Sequence, residues 1–428
     1  MNSEQVDVVI VGSGAAGLMT AIALGRALEA EHRSARVLLV DGARTIGAKI
    51  LVAGGGRCNV THYQVDEQQY AGSTPGAIRS VLRRLDVPET VAFFESIGVR
   101  LKREDTGKLF PTTDRARTVL DALVHESQRV GTRLVHPWRV GAIEREGEEF
   151  VVHREGDSGE VVRARRVVLT PGGRALPKSG SDGLGYEFAK ALGHSTTSRI
   201  FPSLVPLVVG ERSKWITELS GISTIARVEV RSGSGKKLAA FTNSILCTHF
   251  GLSGPGVLDA SRWYLDARRS DSDAKLIINW LGETSFDAAD AALRALGKRS
   301  VGAWLREQLP ERLALRLCVQ AGADATTAGS ALTRDVRRAL AHALVECEVK
   351  IAGDRGFTHA EVTAGGIPLS EVEVKTMRSR VCEGLWLAGE ILDVDGRIGG
   401  FNFQWAWASG HVAGLSIAVD VCAQAGAQ

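Results

Sequence analysis

The groups able to do chemistry sit in a few short stretches of this 428-residue sequence. Gly12, Gly14 and Gly17 form a G-x-G-x-x-G run between the apolar Val8–Val11 and an apolar stretch from Leu18 to Leu28. In a strand-turn-helix setting the first glycine permits the tight turn and the second lets backbone approach a pyrophosphate. The third allows close strand–helix packing, and the helix N-terminus offers unpaired N–H groups to the anion. Asp41 closes a second apolar run from Arg36, where an acid accepts hydrogen bonds from a ribose diol. Gly54-Gly-Gly-Arg-Cys-Asn59 leaves three backbone N–H groups unshielded beside the fixed charge of Arg57 and the amide of Asn59. A flat or anionic group suits such a place. Cys58 has no acid, base or second cysteine next to it, and reads as a small packed hydrophobe rather than a nucleophile.

The C-terminal end carries the complementary set. Gly384-Leu-Trp-Leu-Ala-Gly-Glu390 is a strand pattern ending in a carboxylate, and Gly399-Gly-Phe-Asn402 opens an apolar helix. A carboxylate there accepts from ribityl or ribose hydroxyls, and a Gly-Gly helix start aims N–H groups and the positive dipole end at its neighbour. A reduced flavin carries negative charge near one carbonyl, so that helix end, helped by Arg57, would raise its reduction potential. The bland alternative for Glu390 and Asn402 is capping. For Trp405 and Trp407 ordinary core packing is the preferred reading.

Such a ligand needs a scaffold that brings residue 12 and residue 400 to one slot. The chain is long enough for two or three domains. Charged residues make up 24% and the net charge is +3, which neither demands nor excludes a polyanionic partner. No uninterrupted apolar run reaches membrane-spanning length, and the first apolar stretch carries Asp7, unlike a signal peptide. Six scattered cysteines without a C-x-x-C pair argue against a disulfide framework, a thiolate metal site or a dithiol redox centre. The expectation is a cytoplasmic protein with neither membrane nor metal partners.

Helix-like spacing predicts helices over 75–97, with Pro88 starting the second, and from Ala116 to Arg129. Leu134–Ile143 reads as a strand, 150–154 with 160–166 as a hairpin, and Val167-Val-Leu-Thr-Pro-Gly-Gly173 as a buried strand ending in glycines. Ser181-Asp-Gly-Leu-Gly-Tyr186 opens a helix to Leu192. From about Ser195 the texture changes to short strands at 204–209, 227–232 and 237–242, then to amphipathic helices between 286 and 347. The expected domains are 1–194 and 356–428 as two parts of one nucleotide-binding unit, and 195–355 as an insert.

Six motifs together resemble one family: Gly12–Gly17, Gly54-Gly-Gly-Arg-Cys-Asn59, Phe110-Pro-Thr-Thr-Asp114, Thr248-His-Phe-Gly-Leu-Ser-Gly-Pro255, Ala360-Glu-Val-Thr-Ala-Gly-Gly366, and 387–395 through Gly399-Gly-Phe-Asn-Phe-Gln-Trp-Ala406. They occur in the same order over nearly the whole chain in the bacterial NAD(P)/FAD-dependent oxidoreductases known as aminoacetone-oxidase-like flavoproteins. That family includes the bile-acid flavin oxidoreductase and the ribosomal-RNA dihydrouridine synthase. The resemblance implies an α/β fold: a glutathione-reductase-like Rossmann FAD domain interrupted by a β-barrel-like and helical insert. It implies FAD held at the pyrophosphate by Gly12, Ser13, Gly14, Ala15, Ala16 and Gly17, and at the adenosine by Asp41, Gly42 and the backbone of Val140. Arg57, Glu390 and Gly400, Phe401 and Asn402 would line the flavin and ribityl side, with Lys49, Gly56, Cys58, Gly172, Gly173 and Gly389 as further cofactor-binding residues.

There are departures from the family pattern. Asp41 stands where many relatives have Glu, Thr170-Pro-Gly-Gly replaces Ala-Thr-Gly-Gly, His62 replaces asparagine, and Arg397 replaces an aromatic residue. The shared chemistry implied is hydride delivery from reduced flavin to a carbon–carbon double bond conjugated with a carbonyl. His249, the histidine of the Thr248–Pro255 motif, is the candidate proton donor, and Arg57 the second candidate in catalysis. NAD(P)H would act as a transient electron donor, since no second G-x-G-x-x-G follows a strand. A small-molecule substrate leads. Ribosomal RNA is the alternative partner, met by Arg79, Arg83, Arg84, Arg100, Arg103, Arg115 and Arg117. A third reading is an oxidase that passes electrons to oxygen.

Overall fold

Val8, Val9 and Ile10 are completely shielded because the strand Ser3–Val11 has parallel neighbours on both sides. Val37–Val40 pairs with one edge and Val161–Leu169 with the other. A strand buried on both faces has no reason to alternate polar with apolar, and each such side chain contributes about 1.5–3 kcal/mol by burial. Outward from these, Thr132–Val135 pairs with Val37–Val40, and Leu385–Leu387 with Val161–Leu169, all parallel. The chain therefore builds to one side of its first strand and later to the other. The reversal between Ser3–Val11 and Val161–Leu169 creates the switch point at which ligands of open α/β sheets lie outside the strands' carboxyl ends. Gly12, Asp41, Thr170 and Ala388 all emerge at that edge. Gly12 donates its N–H to Val40 O, Thr170 to Val11 O and Ala388 to Leu169 O. The structure, a computed structural model, describes residues 3–156 and 159–425.

Local structure follows the spacing with a few differences. The expected strand over 134–143 is two strands, Thr132–Val135 and Val140–Glu146, separated at His136-Pro137, where proline lacks a ladder donor. The expected hairpin and the buried strand after it are continuous. Val161–Leu169 pairs antiparallel with Glu149–Arg154 through its first half and parallel with Leu385–Leu387 through its second. Pro75–Leu82 and Val87–Ser96 are separate helices, the latter started by a reciprocal capping box between Asp86 and Glu89.

Two helices flank the switch point, Ala15–Ala30 and the closing Phe401–Ala425. Gly410 abuts Ala16 O and Gly414 abuts Thr20 O, each at 2.5 Å from where a Cβ would stand. The pairs advance together along both chains, so the helices run parallel and present both N-termini to the same edge. By length and composition the stretch Phe401–Ala423 would suffice to cross a bilayer, and half of its apolar window is buried. It is not an uninterrupted apolar run, since Asn402, Gln404 and His411 break it, as the sequence reading expected.

The chain divides into two units, one holding residues up to Pro202 and from Glu361 onward, the other Ser203–Ala360. Both boundaries fall a few residues after those expected from texture. Thr197 explains the first: its N–H donates to Gly366 O and its hydroxyl accepts from Gly366 N, keeping the 195–202 segment with the nucleotide sheet. Arg355 explains the second, its N–H donating to Pro206 O.

The second unit combines an antiparallel sheet with helices inserted between its strands. Its order runs from Cys347–Val349 through Lys275–Asn279, Ser223–Arg231, Lys237–Thr248, Gly251–Ser253 and Leu207–Val209 to Ile351–Asp354. Lys350 alone separates the first and last of these, so one bent strand supplies both edges. The helices are Pro255–Ser270, Phe286–Ala295, Val301–Leu305, Glu311–Gln320 and Arg334–Val345, three of them started by capping hydroxyls from Ser285, Ser300 and Thr333.

Candidate functional site

At the opening turn each glycine answers a different demand. Gly12 has φ +103°, and an added Cβ would lie 2.4 Å from Thr170 O. At Gly17 a Cβ would lie 1.9 Å from Gly12 O, so the helix and turn meet backbone to backbone. Around Gly14 nothing lies within 4 Å of such an atom, and the helix behind it has no side-chain cap. The turn is thus packed tight everywhere except in front of the helix N-terminus, where N–H groups and the dipole face open space. Ser13, Ala15 and Ala16 complete that turn.

Asp41 sits at the adjoining strand end. One of its oxygens, Oδ2, accepts from Ser13 N at 2.7 Å and Ser13 Oγ at 2.8 Å, and Oδ1 accepts from Ala43 N at 2.8 Å. Its carboxylate therefore braces the glycine turn, a contact that sequence spacing did not anticipate. Asp41 O accepts from Trp138 N, and a Cβ on Gly42 would press on Arg139 Cβ at 3.0 Å, so Gly42 and Val140 belong to one corner.

The diglycine turn Gly172–Gly173 is wedged between several groups. Thr170 Oγ lies 2.9 Å from Val11 O and 2.8 Å from Gly12 O, tying it to the opening turn. A Cβ on Gly173 would lie 2.4 Å from Thr363 Oγ and 2.9 Å from Glu390 Oε1. One on Gly172 would lie 2.3 Å from Ser181 Oγ. Thr363 accepts from the N–H groups of Arg174 and Ala175, and its own N–H donates to Glu390 Oε1 at 3.0 Å. Glu390 Oε2 accepts from Lys49 Nζ at 2.6 Å, a half-buried ion pair between opposite ends of the sequence. Gly389, at φ +80°, packs on Ala16, while its N–H donates to Ser409 and its carbonyl accepts from Trp405 Nε1. The two ends of the chain thus meet in one cradle.

Ser181 and Tyr186 were read from sequence only as a helix start. Both are buried, and neither hydroxyl has a hydrogen-bond partner among the described residues. A buried polar group without a partner costs about 1–3 kcal/mol. Burial pushes the Tyr186 phenol well above its ordinary range, with the Glu390 carboxylate adding to it. Only the Ser-Asp-Gly-x-Gly-Tyr run shortly after a diglycine strand end hinted at them.

The Gly54–Asn59 stretch is not the open loop its glycines suggest. Ala48–Gly56 is helical up to a kink, after which Gly54, Gly55 and Gly56 all take positive φ. Arg57 stacks on Phe110 at 4.0 Å and donates to Glu104 at 2.6 Å, with Asp114 at 3.7 Å, so acids balance its charge. The Cys58 thiol is completely buried, which pushes it up to about 12 and keeps it protonated. Asn59 is buried with its Oδ1 lacking a partner.

At the closing loop, Gly400 has φ +96° and a Cβ there would meet Thr61 backbone at 2.6 Å. Phe401 stacks on His62 at 5.0 Å. The Asn402 amide grips Gly396 by both its N–H and its C=O, so it ties the loop before the helix to the strand Val394–Gly396. Trp405 and Trp407 are buried, in line with core packing. His249 lies in the other unit, exposed at the turn between Lys237–Thr248 and Gly251–Ser253, its ring against the edge of Phe250.

Taken together, an uncapped helix N-terminus with open approach, a carboxylate–lysine pair and buried hydroxyls without partners fit an extended dinucleotide. Lys49, Glu390 and the Gly12–Gly17 turn would hold FAD.

Comparison with known proteins agrees. A family model described as HI0933-like protein Rossmann domain matches residues 6–416. The chain is 34% identical to a 3-dehydro-bile acid delta(4,6)-reductase of Clostridium scindens, over 96% of this chain and 98% of that protein. It is 30% identical to the ribosomal RNA dihydrouridine synthase of Escherichia coli, over 95% of this chain and 96% of that protein. A solved quinol–fumarate reductase with menaquinol molecules aligns at TM-score 0.51 and 17% identity, over 99% of this chain and 72% of that one, a likeness of fold alone. With one model spanning nearly every residue and full-length relatives at this identity, the chain belongs to the HI0933-like family of FAD-binding flavoproteins.

Proposed function

We propose that the protein is a FAD-dependent reductase that uses NAD(P)H to saturate a carbon–carbon double bond conjugated with a carbonyl in a small, enone-like molecule. The observation that carries this reading is the 34% identity, over almost the full length of both chains, to a reductase whose name specifies such a substrate class. Bound FAD would supply the hydride. The chain's own part is to position and protect. The helix N-terminus at Gly14 and the Gly399–Gly400 helix start both present N–H groups at the switch point, where they favour negative charge. A proton must then reach the carbon next to the one that takes the hydride, and His249 is the proposed donor.

The test is anaerobic. FAD-loaded protein should be bleached by NADH or NADPH and recoloured by an enone. Failure of both nicotinamides removes the electron source and ends this reading. His249→Ala should slow recolouring by the enone and leave bleaching intact; an unchanged rate takes His249 out of the chemistry.

A second reading, uridine reduction in ribosomal RNA, has the 30% identity to the dihydrouridine synthase behind it. Of the seven arginines considered, Arg79 pairs with Glu67 and Arg117 with Asp121. Arg83, Arg84, Arg100 and Arg115 are exposed and make no ion pair among the described residues. Recolouring by rRNA but not by enones would select it. Rapid reoxidation by air with stoichiometric peroxide would instead select an oxidase.

A further inference from the structure

Folding leaves hydroxyls stranded at the diglycine turn. Ser181 is 4% exposed and Tyr186 0%, and neither oxygen has a partner. Ser181 Oγ lies against the turn at Gly172, and Glu390 Oε1 lies against it at Gly173. The turn itself is fixed from behind: Thr170 is bound to the opening glycine turn, and Gly185 packs on Pro171, where a Cβ would lie 2.1 Å from the proline ring. Tyr186 follows Gly185 directly, so the same packing on Pro171 anchors its backbone beside the turn.

We propose that Ser181 Oγ–H and Tyr186 Oη–H are hydrogen-bond donors to the ribityl–pyrophosphate chain of bound FAD, so that the cofactor completes bonds that folding leaves open. The inference rests on the FAD-binding reading. That chain of the cofactor offers hydroxyl and phosphate oxygens as acceptors, and Tyr186, held protonated by burial, remains a donor across the pH range of the folded protein. Glu390 is acceptor-only, so a site that holds both a carboxylate and hydroxyls can serve both the hydroxyl hydrogens and the oxygens of a polyol phosphate.

The experiment uses full-length protein and FAD itself. Tyr186→Phe and Ser181→Ala are each expected to raise the FAD dissociation constant about tenfold, read by fluorescence quenching, and to speed FAD release from the holoprotein comparably. The thermal midpoint of the FAD-free Phe variant should equal or exceed that of wild type, because an unsatisfied hydroxyl has been removed. The bound flavin's visible spectrum should stay that of wild type. Wild type that binds FAD while both variants bind it equally well overturns the inference alone. A lowered FAD-free midpoint with unchanged affinity does the same, since it marks a structural bond. Wild type that fails to bind FAD overturns the cofactor reading and this inference with it.

Discussion

The cradle at the sheet's edge and the Asp290 cluster of the inserted unit's helices both bury polar side chains, and they treat them in opposite ways. Among the helices, Asp290 is 2% exposed yet receives Arg337 Nε at 2.8 Å and Arg294 Nε at 3.0 Å. Among the described residues, Ser181 and Tyr186 at the cradle have no partner, and Asn59 Oδ1 beside Gly54 has none either. A buried polar group is tolerable when something satisfies it. Folding does that for Asp290; in the cradle the task is left to a ligand. The contrast separates side chains that hold the protein together from those that await a partner.

The largest effect expected concerns the glycine that makes the cradle possible. Gly17→Ala puts a Cβ 1.9 Å from Gly12 O and 2.8 Å from Thr170 Oγ, both fixed, so the strand–helix packing must open at about 3 kcal/mol or more. Little soluble protein and no FAD retention are expected. Gly14→Ala, three residues away, meets open space, so the FAD-free protein should melt where wild type does while FAD affinity falls. If the two variants behaved alike in a melting experiment, the distinction between packing glycine and access glycine would be lost.

How much of this was legible without coordinates differs between the regions for the same reason. Glycine spacing and apolar runs are local patterns, so the Gly12–Gly17 turn, its strand, and Asp41 and Glu390 at strand ends could be read directly. What the patterns could not show was the other end of each bond. Asp41 looked like a ribose ligand, and its carboxylate braces Ser13. Arg57 looked like free charge beside a flat ligand, and Glu104 and Phe110 hold it. The Lys49–Glu390 pair joins residues hundreds of positions apart, a distance no periodicity spans. Ser181 and Tyr186 were missed because being unpartnered is a property of three-dimensional packing. Cys58 and the two tryptophans were read as interior residues because bulk and apolarity alone decide that.

Next in size is the satisfied region. Asp290→Ala leaves two guanidinium groups without their shared acceptor, and thermal unfolding should come at a lower temperature. Removing the arginines one at a time should reveal an asymmetry. Arg337 is 17% exposed and Arg294 64%, so Arg337→Met should lower the midpoint more than Arg294→Met. Equal losses would mean that solvent screens both partners alike. Smaller still is the effect at Asn59. Asn59→Leu removes an acceptor that nothing uses within the folded chain, so the FAD-free midpoint should hold or rise while FAD binding weakens. A clear drop in FAD-free stability would place Asn59 with Asp290 rather than with Tyr186.

The finest test of the contrast is acid. Hydrogen bonds from Arg337 and then Arg294 hold the Asp290 carboxyl down to about 2, below its ordinary 3.8. A carboxyl depressed on folding favours the folded state wherever the unfolded chain would also be ionised, so its contribution is complete above about pH 4. It shrinks as pH falls below that, and is gone once pH has passed through about 2, where the folded form takes up the proton too. Asp290→Asn, which cannot titrate, should therefore flatten part of the slope of midpoint against pH between about 4 and 2 and leave the slope above pH 5 unchanged. The cradle hydroxyls lose no proton in that interval, so Tyr186→Phe should leave the acid slope of the FAD-free protein as it is in wild type. Calorimetry of the three proteins across pH 2–6 decides it. An Asn variant whose acid slope matches wild type would show that the arginines do not distinguish the ionised from the protonated carboxyl, and that the buried pairing stabilises by packing instead of charge.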